Sequence, residues 1–241
     1  MKSGPYFFVG LAAAFGMSWA GVMWSEAQLG RLAPYYDDIE SASFPNRMPG
    51  NAAAGQLVYR DLGCASCHTQ QVRRPGYGAD VARGWGDRQS VARDYIFQPY
   101  VQLGWSRTGP DLTNLAGRKP AAPDADSLMR LLYSGQGGMP AYSFLFEDRE
   151  VVGQASQYAL KSTGGLTPAP GREIVPTERA LDLVAYLLSL NTTYDYPEAR
   201  PVPASGAGEK PIPASGGEIK PVPASGAADK SVPASGGGGA K

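Results

Sequence analysis

The feature that most constrains this chain is the run Cys64-Ala65-Ser66-Cys67-His68. It contains both cysteines and the single histidine of a sequence of 241 residues. A structural zinc site needs four ligands, usually from two separated pairs, and the chain offers no second Cys or His pair. A disulfide across so short a loop would restrain little of the unfolded chain. A thioredoxin-like Cys-x-x-Cys would lie near a βαβ pattern, which the sequence does not show.

Cys-x-x-Cys followed directly by His is the pattern of covalent c-type haem attachment. The thiols of Cys64 and Cys67 are expected to add to the haem vinyl groups, and His68 to ligate the iron from one face. One such motif predicts one haem c, held by a chain that passes single electrons. We expect no catalytic residue, because no histidine is left to bind copper or a second haem.

The opposite iron ligand must be a Met, Lys, Tyr, the amino terminus, or nothing. Met139 follows Gly135-Gln136-Gly137-Gly138 and precedes Pro140, so a flexible loop can bring its thioether to the iron. A His/Met pair raises the reduction potential of the haem. The other five methionines have different interpretations: Met1, Met17 and Met23 fall in an apolar N-terminal segment, Met48 in a spacer, and Met129 among core leucines.

The run Gly109-Pro110-Asp111-Leu112 is the third element of the predicted site. An axial histidine normally donates its free ring N–H to an acceptor that fixes the orientation of the ring. Proline suits this role, since its φ is fixed and its carbonyl remains available. We therefore predict a hydrogen bond from Nδ1–H of His68 to the carbonyl of Pro110.

Residues 6–24 hold no charge and are mostly apolar. At ~1.5 Å per residue they span roughly the ~30 Å hydrocarbon core of a bilayer. Trp19 and Trp24 lie at the far end, where interfacial aromatic residues tend to occur. A cleaved signal peptide is the alternative, with Ser18-Trp19-Ala20 as a passable cleavage site. We expect an uncleaved anchor over residues 1–25 of a bacterial inner-membrane protein, with a cytoplasmic N-terminus and a periplasmic haem domain.

The remaining chain predicts a mainly α fold with no strands. Residues 26–50 read as a spacer, residues 51–196 as the haem domain, and residues 69–107 as an irregular insertion within it. Four helices are predicted. The first runs from an Asn51 N-cap through Ala52 to Leu62 and is stopped by Gly63. The second lies near 126–134, capped by Asp124 or Asp126 and ended by Gly135, and the third covers 147–161. The fourth starts at Pro176-Thr177-Glu178 and carries an apolar repeat at helical spacing: Leu181, Val184, Ala185 and Leu188.

Residues 197–241 form a tail, and from Pro201 a ten-residue Pro/Ala/Ser/Gly-rich unit occurs in four near-copies. Such a composition buries too little apolar surface to offset chain entropy, so the tail is predicted to be disordered. A tether to the cell wall or to a partner is the alternative.

With these motifs in this order, residues 51–190 resemble a class I c-type cytochrome domain. The run from Tyr59 into His68, the insertion ending at Leu112, and Met139-Pro140-Ala141-Tyr142 are similar to the mono-haem subunit II of cbb3-type cytochrome c oxidases. The resemblance implies that the first helix of the domain crosses the last. It also implies a relay from a di-haem or soluble cytochrome c toward a haem–copper catalytic subunit, with no nucleic acid bound.

Three other functions stay open: the cytochrome c subunit of a nitric oxide reductase, a free-standing anchored electron shuttle, and a ligand-binding haem sensor. The long insertion favours the oxidase over the reductase, and Met139 argues against the open iron position of a sensor. Arg107 and Arg118 are candidates for contact with haem propionates, because guanidinium binds carboxylate well; a solvated surface position is the alternative for each. Trp105 and Tyr142 are candidates to line the haem, with ordinary core packing as the alternative.

Overall fold

Four α-helices account for most of the regular structure in a computed structural model that describes residues 4–29, 32–161 and 167–200. They are α1 (Gly4–Leu29), α2 (Gly50–Asp61), α3 (Ala125–Ser134) and α4 (Glu178–Ser189). Of the predicted disordered tail over 197–241, the first residues form a 3-10 turn, Pro197–Ala199, in which Ala199 is buried. The predicted disorder from residue 201 onward falls outside the described part of the chain.

The crossing of α2 and α4 forms the centre of the fold. Gly55 lies so close to α4 that an added Cβ would come within 1.9 Å of the carbonyl oxygen of Asp182. One turn further along, the rings of Tyr59 and Tyr186 meet edge to face at 5.4 Å, and both side chains are fully buried. Edge-to-face pairs stabilise beyond their buried area. The first and last helices of the domain therefore cross at a glycine, as the resemblance implied.

Helix α3 begins and ends where the sequence predicts. The carboxylate of Asp124 accepts a hydrogen bond from the backbone N–H of Ser127, which satisfies one free donor of the first turn. Gly135 ends the helix with a φ of 65°, in the region that favours glycine. Leu128, Met129 and Leu132 are buried, so the interpretation of Met129 as a core residue is confirmed.

The prediction of no strands is wrong. Strand β3 (Phe146–Glu150) pairs antiparallel with β4 (Arg172–Pro176), and the helix predicted over 147–161 is absent. Pairing across the sheet overrides helix propensity here: Arg149 binds Glu173 at 2.9 Å, and Arg172 binds Asp148 at 2.8 Å. These partners lie more than twenty residues apart in the sequence, where periodicity gives no signal.

The predicted spacer contains a second antiparallel pair, β1 (Tyr35–Asp37) and β2 (Ala42–Phe44). Phe44 stacks on Tyr194 at 4.6 Å between ring centroids, and Tyr35 meets Tyr196 edge to face at 5.9 Å. Residues that precede the predicted domain thus pack against those that end it, in a small aromatic cluster beside the main core.

Helix α1 is long and apolar enough to cross a membrane between Gly4 and Gln28, and its side chains over that range are exposed. Helix α2 starts one residue before the predicted cap. Pro49 occupies the N-cap position, and Asn51 accepts a hydrogen bond from Ala52 within the first turn. The insertion over 69–107 contains no α-helix and one short 3-10 turn, Ala92–Tyr95.

Gly55→Ala is expected to lower the free energy of unfolding by about 3 kcal/mol, since the new methyl group would overlap the backbone of α4. Gly50→Ala on the same helix is the control, because nothing lies within 4 Å of the position of its Cβ. Urea unfolding in detergent, followed by circular dichroism, should show the loss in the first variant and little change in the second. Equal stabilities would contradict the close crossing.

Candidate haem site

Helix α2 leads the chain directly into the cysteine motif. Gly63 turns the chain with a φ of 71°, and Cys64–Ser66 form a single 3-10 turn. The backbone N–H groups of Cys67 and His68 both bond the carbonyl of Cys64, at 3.2 and 2.9 Å. Cys64 is buried, Cys67 is exposed, and both thiols are free. Two thiols and an imidazole are thus presented by one tight loop.

The imidazole of His68 lies against the chain at Gly109 and Pro110. Its Nδ1 is 2.9 Å from the carbonyl oxygen of Pro110, the contact that the sequence predicts. The backbone N–H of Gly109 bonds the carbonyl of Cys67 at 3.0 Å, which holds the two segments together. A Cβ on Gly109 would come within 2.2 Å of the His68 ring, so only glycine fits. With Nδ1 engaged, Nε2 is the nitrogen left for a metal.

Tyr59 holds the motif from the other side. Its phenol donates a hydrogen bond to the backbone carbonyl of His68. Gln70, two residues after His68, is held by two further tyrosines. Its side-chain oxygen accepts a hydrogen bond from the Tyr186 hydroxyl at 2.9 Å, and its backbone carbonyl accepts one from the Tyr95 hydroxyl at 2.8 Å. Burial raises the pKa of Tyr186 to about 12, so this hydroxyl stays protonated and able to donate. The helix crossing thereby fixes the histidine loop.

Met139 lies in a loop whose shape depends on glycine. Gly135, Gly137 and Gly138 all have positive φ, at 65°, 60° and 89°. A Cβ on Gly135 would come within 2.5 Å of the carbonyl oxygen of Met139. The Met139 side chain is half-buried and packs against the core cluster that includes Cys64. The loop therefore packs the thioether against the core cluster to which Cys64 belongs, and ligation of iron by Met139 stays a prediction.

Tyr142 lies beside the first cysteine, close enough for its hydroxyl to interact with the Cys64 thiol. Burial raises the pKa of Cys64 to about 11, so the thiol is neutral at physiological pH. The backbone N–H of Tyr142 donates to the carbonyl of Leu132 at 2.7 Å, which holds the end of the Met139 loop against α3. Tyr142 therefore lies next to Cys64, and its predicted position beside a haem stays a prediction.

Arg107 belongs to an ion cluster whose carboxylates are buried and whose arginines are partly exposed. Its guanidinium bonds Asp80 at 2.9 Å and the Gln71 carbonyl at 2.7 Å, and lies 3.5 Å from Asp111. Arg73 completes the cluster with two side-chain bonds to Asp80, at 2.8 and 3.1 Å. Arg107 thus has one carboxylate partner inside the insertion, Asp80, and a second just after it, Asp111. A propionate contact of Arg107 stays a prediction. Sequence reasoning missed Asp80, because nothing near it in the chain marks it.

The two carboxylates of the cluster, Asp80 and Asp111, are both inaccessible to solvent, but their pKa values are shifted in opposite directions. Burial alone would raise the pKa of Asp80, but hydrogen bonds from Arg73 and the charge of Arg107 hold it below its usual value. Burial prevails at Asp111 and raises its pKa, despite hydrogen bonds from Thr113 and Gln71. Asp80 is therefore the charged anchor of the insertion, and Asp111 is chiefly a hydrogen-bond acceptor for the backbone that follows the haem motif.

Arg118 and Trp105 differ in their surroundings. Arg118 donates to the backbone carbonyl of Asp111, while its Nε is buried without a partner in the described chain. Burial lowers the pKa of Arg118. Trp105 is 89% exposed and has no packing role among the described residues. Neither arrangement tests the predicted contact with a haem.

The residues present fit a covalent haem better than a protein-held metal ion. Within the described ranges, no group of three His, Cys, Asp or Glu side chains could hold a metal. Two free thiols and a histidine oriented through Nδ1 are the donor set of a c-type haem. Gly109, which has no Cβ, leaves room for the histidine ring. The unpartnered Nε of Arg118 is a buried donor that an added carboxylate would satisfy.

Comparison with known families agrees with this site. Residues 48–165 match the family model described as cytochrome C oxidase, mono-heme subunit/FixO, and the matched range contains the cysteine motif, Pro110 and Met139. The chain belongs to the mono-haem subunits of cytochrome c oxidases. Within that class it is a member of the FixO family, the mono-haem subunit of cbb3-type oxidases, which confirms the resemblance found in the sequence. No curated protein matches the chain.

Asp80→Asn is expected to lower the free energy of unfolding by about 2 kcal/mol, because two arginines would lose a buried charged acceptor. The folded pKa of Asp80 is lowered, so its stabilising charge is fully present above the ordinary pKa and is lost as the pH falls through the folded value. The difference between wild type and variant should therefore shrink in acid.

Urea unfolding at a series of pH values measures this difference. Asp87→Asn is the matched control, because Asp87 lies on the same insertion and forms an exposed ion pair with Lys119. A loss in Asp80→Asn that does not change between neutral and acidic pH would rule out the charge as its source.

Proposed function

We propose that this chain is a one-electron relay subunit of a membrane-bound cytochrome c oxidase. It would hold one haem c through Cys64 and Cys67, with His68 and Met139 as axial ligands of the iron. The haem, when bound, supplies the one-electron Fe(II)/Fe(III) couple. Electrons would come from a di-haem or periplasmic cytochrome and leave toward the haem–copper catalytic subunit of the assembly.

The contact between His68 Nδ1 and the Pro110 carbonyl supports this function most directly. A hydrogen bond at Nδ1 selects the tautomer that leaves the Nε2 lone pair free, and it fixes the plane of the ring. Tyr59 holds the backbone of the same residue, so neither the ring nor its main chain needs to move. A small reorganisation on gain or loss of an electron is what a relay requires.

The loop that carries Met139 serves to position the methionine side chain. Three glycines with positive φ shape the loop, and the bond from Tyr142 N–H to the Leu132 carbonyl ties its end to α3. A neutral thioether opposite histidine favours the reduced iron and raises the potential. This suits a carrier that feeds a high-potential acceptor.

Membrane attachment through α1 is part of the proposal. Its length and its uniformly exposed apolar surface support a single span, which would place the haem domain on the periplasmic side of a bacterial inner membrane. Covalent attachment of a c-type haem takes place on that side. The tether would keep the relay close to its membrane-bound acceptor.

Met139→Ala is expected to abolish the weak near-infrared charge-transfer band of methionine-ligated ferric haem, because the thioether supplies the second axial bond. Met48→Ala is the control, since Met48 is also a partly buried methionine packed on the core. Absorption spectra of the oxidised proteins measure the band. Its survival in Met139→Ala would show that another group ligates the iron.

Purification of the full chain in mild detergent tests the assignment to an oxidase. We expect it to co-purify with a copper-containing assembly that consumes oxygen, because a relay subunit is held in its complex. A copper-free assembly that reduces nitric oxide would identify the reductase subunit instead. Recovery as a lone monomer would identify a free-standing shuttle.

A further inference from the structure

The chain that follows the apolar helix α1 is bound by the insertion within a few residues. Ala33 is the fourth residue after Leu29, where α1 ends, so the two lie within about 14 Å of one another even in a fully extended chain. The guanidinium of Arg93, on the 3-10 turn of the insertion, donates a hydrogen bond to the carbonyl of Ala33 and pairs with the carboxylate of Glu198. One arginine therefore joins the segment after α1 to the segment after α4.

A second arginine of the insertion holds the aromatic rings on which the β1–β2 hairpin packs. The guanidinium of Arg88 lies over the rings of Tyr194 and Tyr196, at 5.2 and 4.7 Å from their centres. It also donates to the Tyr194 carbonyl at 2.8 Å and pairs with Asp94 at 2.7 Å. The side chains of this pair are only 10% and 2% exposed, so breaking it would leave a buried charge uncompensated. We call the contacts among residues 33–44, 88–94 and 194–198 the anchor clamp.

The same stretch of the insertion is bonded to the chain that leaves the cysteine motif. Ser90 and Val72 exchange two hydrogen bonds of 2.9 Å, one from the Ser90 N–H to the Val72 carbonyl and one from the Val72 N–H to the Ser90 hydroxyl. The Tyr95 hydroxyl donates to the carbonyl of Gln70, two residues after His68, at 2.8 Å. Residues 88–95 therefore contact both the segment that follows α1 and the segment that follows His68.

We propose that residues 88–95 are a bracket that holds the cysteine motif at a fixed distance from the membrane anchor, so that the relay works without a swinging motion of its domain. This rests on the proposed function, in which α1 spans the membrane and the loop from Cys64 to His68 carries the haem. A flexible linker over residues 26–50 would let the domain range over roughly 25–30 Å. The anchor clamp removes this range, because it binds the chain four residues after α1.

The distance between two nitroxides tests the proposal in the haem-loaded full chain, reconstituted in lipid nanodiscs. One nitroxide is placed at Ala27 on α1 and the other at Arg179 on α4, both exposed positions. Each is attached through a ketone-bearing residue, so that Cys64 and Cys67 are left to the haem. Double electron–electron resonance should give one narrow distance distribution. A distribution as broad as that of a flexible linker would overturn the proposal.

The double variant Arg93→Ala/Phe44→Ala removes one charged and one aromatic contact of the anchor clamp and leaves Arg88 paired with Asp94. We expect the width of the distance distribution to grow at least about twofold, since the linker would then move as a flexible chain. A distribution as narrow as that of wild type would contradict a bracket at these residues.

Arg149→Ala/Tyr158→Ala is the matched control. Arg149 forms an ion pair with Glu173, and Tyr158 is 51% exposed, so the variant also loses one arginine and one aromatic ring, but outside the anchor clamp. Its distance distribution should equal that of wild type. A broadening as large as that of the clamp variant would overturn the proposal, because the effect would not depend on the clamp.

Circular dichroism and the haem absorption spectrum show whether the variants fold. If the double clamp variant does not, Arg93→Ala alone replaces it, with broadening expected and an unchanged distribution counting against the bracket. A wild-type chain that carries no covalent haem would instead refute the proposed function. The distance between the nitroxides would still be measurable in that chain, so the two failures can be told apart.

Discussion

The contact between His68 Nδ1 and the carbonyl of Pro110 is the interaction on which the rest of the site depends. It joins two segments forty-two residues apart, the end of the cysteine motif and the end of the insertion. The ion cluster of Asp80, Arg73 and Arg107 anchors the insertion that leads to Pro110, and Asp111 accepts the backbone N–H of Gln71 at 2.9 Å. The charged residues of the insertion thus act on the site by positioning one carbonyl.

Close approach without a side chain is the second constraint. Gly55 lets α4 cross α2, Gly109 lets the chain lie against the His68 ring, and Gly104 lets the insertion lie on the cysteine motif. At each place a Cβ would overlap backbone or imidazole atoms, so the geometry exists only with glycine. The crossing places Tyr59 where its hydroxyl reaches the carbonyl of His68. Helix packing and the orientation of the predicted iron ligand are therefore parts of one structure.

The sequence predicted those elements whose signals are local. The Asp124 cap and the Gly135 stop define α3, and an apolar repeat at helical spacing defines α4. The strands and the ion cluster could not be predicted in the same way. Strand β3 forms because it pairs with β4, whose residues lie more than twenty positions further along the chain. Asp80 anchors the insertion because folding brings Arg107 to it. A residue whose role depends on a partner elsewhere in the fold leaves no local sequence pattern. The hydrogen bond from the Tyr59 hydroxyl to the His68 carbonyl could not be predicted for the same reason.

We propose that the loop from Cys64 to His68 carries one covalent haem. Mass spectrometry of the intact chain, purified from cells that mature c-type cytochromes, measures this directly. We predict the mass of the polypeptide plus one haem, and after proteolysis the added mass on the peptide that contains both Cys64 and Cys67. An intact chain with no added haem, or with the addition on any other peptide, would show that Cys64 and Cys67 do not hold a haem.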